Sequence, residues 1–189
     1  MRHTLPAALL ALTAVACSGS SEDKSKPDRS SPDRGERVVV RIGPVSAEAP
    51  RDWKEETPKG SMRAYQFRLP GAEGAGDAEL IVFRGIGGTA RANVDRWKKQ
   101  FTPPEGTKAE DALKETEMKV GGYPALYLDA RGTYESGMAF GPQGPQKDYR
   151  MLGVYIEVPD KPSQIMLRGP AGTVGKYQQQ FDDWLKAFK

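Results

Sequence analysis

The chain has 189 residues, with 28 Lys and Arg against 25 Asp and Glu and a formal net charge of +3. Its cations form no cluster, which argues against a nucleic-acid partner, because such binding depends on neutralising many phosphates with grouped Lys and Arg. The one histidine, His3, and the one cysteine, Cys17, both precede the globular part. Ser-His-Asp and Cys-His catalysis, zinc held by His or Cys, and haem or iron–sulfur ligation through those residues are therefore excluded there, and neither metal nor cofactor is expected.

Residues 1–16, "MRHTLPAALLALTAVA", join a short basic start to an apolar run that closes on Ala14-Val15-Ala16, the small-residue pattern of a cleavable signal peptide. That run is only twelve residues long, short of the ~20 needed to span a bilayer as a helix. Cys17 follows directly, and "AVAC" resembles the lipobox of bacterial lipoproteins, with Ala14 where Leu is usual. The resemblance implies a diacylglycerol on the Cys17 sulfur and a further acyl chain on the freed amine, and two or more chains make a stable membrane anchor. The alternative is ordinary secretion with a free N-terminal thiol. Residues 17–37 then form a lipidated cysteine and a linker: "SGSSEDKSKPDRSSPDRGER" has no hydrophobic side chain and balances five basic residues against five acidic ones. With no apolar surface to offset ordering entropy, it reads as a solvated spacer. If the organism is Gram-negative, Ser18 after the cysteine resembles the outer-membrane sorting pattern of lipoproteins, which implies a lipid-anchored cell-envelope protein on the outer membrane facing the periplasm.

Residues 38–189, 152 in all, suit one globular domain with a single core. Short strands are expected at "RVVVRIG" (37–43), at "SMRAYQFRL" (61–69) with imperfect alternation, and at "AELIVF" (78–83). "TARANVDRWKKQF" (89–101) has helical spacing. Ala90, Val94, Trp97 and Phe101 make its inner stripe, Thr89 caps its start and Pro103-Pro104 stop it. "LKETEMKV" (113–120) and "YPALYLDARGTYE" (123–135) flank a tight Gly121-Gly122 connection, and "YRMLGVYIEV" (149–158) and "SQIMLRG" (163–169) are joined by "PDKP". The end, "TVGKYQQQFDDWLKAFK" (173–189), places Val174, Tyr177, Phe181, Trp184, Leu185 and Phe188 on a second helical stripe with Thr173 as cap. The expectation is the α+β class: a largely antiparallel sheet packed by two amphipathic helices.

Three features bear on function. Gly85, Gly87 and Ala90 formally satisfy G-x-G-x-x-[GA] between a strand and a helix. The polar stretch "TPPEGTKAED" after the helix, and the antiparallel look of the strands, deny it a dinucleotide-binding context. What remains is a turn whose Gly87, Gly88 and Thr89 offer an exposed helix N-terminus as a possible site for a carboxylate or phosphate. The adjacent Asp182 and Asp183 point about 100° apart on a helix and are expected on a solvated face rather than as a catalytic pair. The loop "ESGMAFGPQGPQKDY" (135–149) is longer than a hairpin needs and carries Met138 and Phe140, a possible partner contact.

Trp53 after "EAPRDW", the "RW" helix, "VGGYPALYLDARG", "YRMLGVYIEV", "MLRGPAGTV" and the terminal amphipathic helix together resemble the PsbP and Mog type of α/β sandwich. "GG", "AN" and "RW" in one helix region are similar to uncharacterised envelope lipoproteins. Members of that fold act mostly as binding or assembly modules, and no catalytic residue transfers from them to this chain. The resemblance implies a lipid-anchored cell-envelope protein that presents a non-catalytic binding or assembly domain, with the membrane and an envelope protein as partners. The alternative is an envelope enzyme or enzyme accessory working through carboxylate or Tyr chemistry.

Overall fold

The structure, a computed structural model, describes residues 37–71, 74–135 and 144–189. Cys17, with the rest of residues 1–36, and the loop residues Met138 and Phe140 lie outside the described residues. Val39–Ile42 (β1) and Val45–Glu48 (β2) pair as a separate hairpin. Lys54–Glu56 (β3), Arg63–Leu69 (β4) and Ala78–Arg84 (β5) lead into helix α1, Ala90–Lys98. Phe101–Thr102 (β6) and the short helix Ala109–Ala112 (α2) precede Leu113–Val120 (β7) and Tyr123–Tyr134 (β8). Gln146–Ile156 (β9), Ser163–Pro170 (β10) and helix Ala171–Lys186 (α3) complete the chain.

Eight strands form one sheet in the order β3-β4-β5-β10-β9-β8-β6, with β7 also on β8. Along one side, β8 pairs with β7 through residues 123–130 and with β6 at 133–134. Every described pairing is antiparallel. This is the expected α+β arrangement, and among the described residues there is no βαβ unit in which a dinucleotide fingerprint could work. The break in alternation at 61–69 has a local cause, a register shift between Arg63 and Tyr65 where β4 meets β5. The Gly121-Gly122 turn takes φ of +56° and +86°, left-handed values at both central positions that suit a tight hairpin and that glycine reaches without strain.

Each sheet face is covered differently. Residues such as Leu80, Leu152, Val154 and Leu167 pack against α3 and the β1-β2 hairpin, while Ile81, Leu128, Met151 and Met166 pack on the α1 side. The α3 stripe is as expected: Val174, Tyr177, Phe181, Trp184, Leu185 and Phe188 are all buried. The hairpin is fastened to the end of the chain by reciprocal backbone hydrogen bonds between Ser46 and Lys189, 3.0 and 3.2 Å.

Two details of the expected helices are corrected. Phe101 is buried but lies on β6, paired with Tyr134, because α1 ends two residues earlier in a cap at Lys99. Thr173 is not a cap. Helix α3 starts at Ala171 after Pro170, which holds the N-cap position without a side-chain bond, and the buried Thr173 hydroxyl donates instead to the Gly76 carbonyl at 2.8 Å. The strands β2, β3 and β6 and the helix α2, inside the stretch expected to be a polar loop, are too short to show a period.

Trp97 is fully buried on the inner face of α1 and packs over Gly153 of β9. A Cβ at Gly153 would stand 3.0 Å from two ring carbons of Trp97, so the glycine is what lets the indole reach the sheet. Trp97→Ala is expected to lower unfolding free energy by ~3–5 kcal/mol in a denaturant titration. Gly153→Ala, which adds only a methyl group, should cost ~1–3 kcal/mol by overpacking; a neutral Gly153→Ala would show that the indole is free to retreat.

Candidate functional site

The Gly-rich turn before α1 is held by two side chains from beneath. Asn93, only 4% exposed, donates from Nδ2 to the Gly87 carbonyl at 3.1 Å and to the Thr89 carbonyl at 2.9 Å. Its Oδ1 accepts from Arg96 Nη2 at 2.7 Å and from Gln164 Nε2 on β10 at 2.9 Å. Tyr155 on β9 donates its hydroxyl to the Gly88 carbonyl at 2.6 Å. All three carbonyls of the turn are thus satisfied, and the Thr89 side chain caps α1 as expected by accepting from the Ala92 N–H at 3.2 Å. Gly88 has φ of +89°, and a Cβ there would meet Asn93 Nδ2 at 3.1 Å. The glycines therefore serve the chain reversal and the seat of Asn93. The sequence showed "AN" as a pattern, but nothing in it distinguished a buried, fully bonded Asn from a surface one.

The first turn of α1 forms one wall of a cleft of about 640 Å³, through Thr89, Ala90 and Arg91. Its floor is Pro124, Ala125 and Leu126 at the start of β8, and its far wall is Glu117, Met118 and Lys119 of β7. Glu157, just after β9, closes one end. Its size falls within the ~300–1,000 Å³ of small-molecule sites, and its lining alternates apolar and charged groups. Arg91 and Lys119 balance Glu117 and Glu157, and Arg91 is committed to Glu115, which also takes Lys98. Burial alone would raise the Glu115 carboxyl, but the hydrogen bonds from Lys98 and Arg91 hold it below the usual range. The Gly87, Gly88 and Thr89 turn therefore has no surplus positive charge beside it. Strand β7 pairs with β8 alone among the described strands, so the far wall of the cleft is also an open sheet edge.

Beneath α3 lies a separate ionic cluster. Arg150, 4% exposed, forks onto Asp129 through Nε at 2.8 Å and Nη2 at 2.7 Å, and Nη2 also donates to Gln178 Oε1 at 2.7 Å. Burial would raise the Asp129 carboxyl, but hydrogen bonds from Arg150 and Arg131 outweigh it and keep it below the ordinary carboxylate range. Asp183 is exposed, bonded to Gln179 and Lys186, in line with a solvated face. Asp182 departs from that expectation: it is half-buried and accepts from the Tyr127 hydroxyl at 3.1 Å. Burial pushes its carboxyl up, and burial together with the Asp182 charge pushes the Tyr127 phenol up. The helix spacing separated the two aspartates correctly, but which of them would meet a tyrosine depended on how α3 sits on β8.

No known protein family matches the sequence, and no curated protein matches it. Several solved structures are similar in shape. A protein of unknown function from Pseudomonas aeruginosa is 17% identical, with 80% of this chain and 95% of that chain covered and a TM-score of 0.47. The cyanobacterial PsbP of Synechocystis is 16% identical, with 87% and 99% covered and a TM-score of 0.48. A Bacteroides thetaiotaomicron protein is 15% identical, with a TM-score of 0.40, and this chain spans 44% of its length. These are likenesses of shape and carry no statement about what this chain binds.

The Asp129 pair sets a pH dependence. A carboxyl depressed in the folded state adds stability that is present above its unfolded value, near 3.9, and is lost as pH falls through the lower folded value. Asp129→Asn is expected to destabilise at neutral pH by ~3–5 kcal/mol, because it strands a buried guanidinium. The gap between variant and parent should narrow below about pH 4. Parallel stability curves across the acid range would rule out this assignment.

Proposed function

We propose that the protein is a lipid-anchored component of the cell envelope whose domain is a non-catalytic binding or assembly module. The observation that carries this reading is the pairing of the α1 cleft with the open edge of β7. An extended segment of an envelope partner can add to β7 through main-chain hydrogen bonds and turn alternate side chains toward the α1 face, on which Leu126 floors the cleft, the logic of strand addition. Glu117 and Lys119, exposed and on both the edge and the cleft, supply the charge pattern a partner must match. The half-buried Asp129 supports a binding role, because Arg150 and Arg131 hold its carboxyl below the ordinary range, and Glu79 is paired with Arg168. Anchoring rests on "AVAC" at residues 14–17 and on the charge-balanced spacer after it.

A catalytic or accessory role has one observation in its favour, the Tyr127–Asp182 pair with its raised carboxyl. Neither residue lines the α1 cleft.

Two experiments test the binding reading. Cys17→Ala is expected to move the protein from the membrane to the soluble fraction while its melting temperature stays within a few degrees; a parent protein already soluble without detergent would end the anchoring proposal. Lys119→Glu and Glu117→Lys, exposed and remote from the core, should reduce recovery of crosslinked envelope partners at least several-fold with no change in melting temperature. Unchanged recovery in both would remove the β7 edge as the contact.

A further inference from the structure

The α1 face of the sheet has a second uncovered end, and the groups there differ from those of the cleft. A cavity of about 350 Å³ opens across β4, β5, β10 and β9. Its acids are Glu56, Asp77 and Glu79, and its cations are Lys59, Arg68 and Arg168, three against three. Glu79 stands directly opposite Arg68 on one side and Arg168 on the other in the strand register, so the row is built into the sheet. Gln66, 1% exposed, is fixed by donating to Glu56 at 3.0 Å and accepting from Arg63 at 2.8 Å.

Two buried groups keep hydrogen-bonding capacity in reserve. Arg168, 2% exposed, donates from Nε and Nη2 to Glu79 Oε1, at 2.7 and 2.5 Å, and from Nη1 to the Tyr134 hydroxyl at 3.1 Å. A guanidinium has five N–H groups, so two remain. Tyr149 is 8% exposed and lines the cavity. Its ring stacks on Tyr134, with centroids 5.1 Å apart and planes inclined by 16°, which holds the phenol in one orientation. Burial is the main influence on it, pushing it up to about 12, so it is a neutral O–H at physiological pH. That hydroxyl makes no hydrogen bond within the described protein. The hydroxyl is not one of the described buried polar atoms that lack a partner, so it meets solvent in the cavity, where a ligand group could take the place of water.

From this geometry we propose that the cavity is a binding site for one ring of a neutral, polyhydroxylated ligand, a saccharide unit. The lining charges balance, and Arg63 beside them is already spent on Gln66 and Glu79, so there is no purchase on a free anion or cation. Carboxylates already bonded to guanidiniums keep lone pairs, and the guanidiniums keep N–H groups, so donors and acceptors alternate at fixed positions around the cavity. A hydroxyl group, which donates and accepts at once, is the chemistry that matches such a wall. The volume is at the small end for ligand sites, room for a single ring. Tyr149 supplies a directional donor from the wall, and Arg168 supplies its remaining N–H groups from the floor. The site lies at the other end of α1 from the β7 edge and stands independently of the partner proposed there.

The test is calorimetric titration of the full chain with methyl α-D-glucopyranoside and N-acetylglucosamine, with inorganic phosphate and glutamate as charged probes. At least one neutral sugar should bind saturably in the micromolar to millimolar range, and the two charged probes should give no saturable heat. Tyr149→Phe, which removes only the oxygen, is expected to weaken the sugar about five- to tenfold, the effect of one hydrogen bond, with melting temperature unchanged. No saturable heat with either sugar at tens of millimolar would overturn the proposal. So would tighter binding of phosphate or glutamate, equal sugar affinity in Tyr149→Phe, or a loss of stability in that variant, which would show that the hydroxyl serves an internal partner.

Discussion

Among the described residues, a single long helix of nine residues faces one side of an eight-stranded sheet, and most of the surface chemistry of the domain follows from that shortage. At 1.5 Å per residue α1 is about 13 Å long, and a helix is ~10–12 Å wide, so it shields about two strands at their spacing of ~4.8 Å. It sits over β8 and β9, where Leu128, Met151 and Gly153 receive Trp97. Helix α3, with sixteen residues, shares the opposite face with the β1-β2 hairpin, and that face is the larger apolar core. The sheet ends beyond α1 cannot be apolar and stable in water, because a large exposed apolar patch invites association.

At one end the chain solves this with hydrogen bonds rather than with more helix. Asn93 and Tyr155 tie down the carbonyls of the turn that launches α1, which fixes the helix start against the sheet and leaves a cleft with mixed lining. At the other end the solution is ionic. Glu79 between Arg68 and Arg168, with Gln66 and the stacked Tyr134 and Tyr149 alongside, forms a polar row across four strands. Buried ion pairs contribute little net stability because desolvation cancels much of the attraction. Their effect here is on specificity of structure: Glu79 meets Arg63 and Arg168, and Arg68 meets Glu56 and Asp77, so the ion pairs join β3, β4, β5 and β10 where no helix packs.

Legibility in the sequence followed the length of the element and the strength of its period. The α3 stripe and the strands β4, β7 and β8 could be read from a period, imperfect in β4, and β5, β9 and β10 as largely apolar runs that are buried almost throughout. Phe101 was misplaced because its spacing from Trp97 continues the helical stripe, and only pairing with Tyr134 shows that the chain has already turned into a strand. Thr173 misled for the same kind of reason: it is a good cap residue by type, but Pro170, with φ preset, begins the helix three residues earlier. The functional surfaces were least legible. Gly87, Gly88 and Thr89 were marked by their glycines, yet the cleft they border is completed by Glu117, Met118 and Leu126, about thirty residues away in sequence. Arg168, Glu79 and Tyr149 come from three strands and read singly as an Arg, a Glu and a Tyr in apolar runs, with no motif to join them.

The sheet edges complete the same logic. The β3 edge is only three residues, Lys54, Glu55 and Glu56, short and fully charged, which is a usual way of blunting an edge. The β7 edge is eight residues long and cannot be protected by shortness, so its charge order has to do it. Two copies of β7 set antiparallel about their middle place Glu115 against Glu117 in one register and Lys114 against Lys119 in the next, and like charges directly opposite are destabilising. In the third, Glu117 faces itself, and only there do two Glu115–Lys119 pairs compensate. Slipped further, Lys114 faces Glu117 or Glu117 faces Lys119 with no like-charge contact, so the charges disfavour the most fully overlapped pairings without closing the edge. A different strand carrying a cation opposite Glu117 and an acid opposite Lys119 meets none of these clashes and forms two opposite-charge pairs in their place.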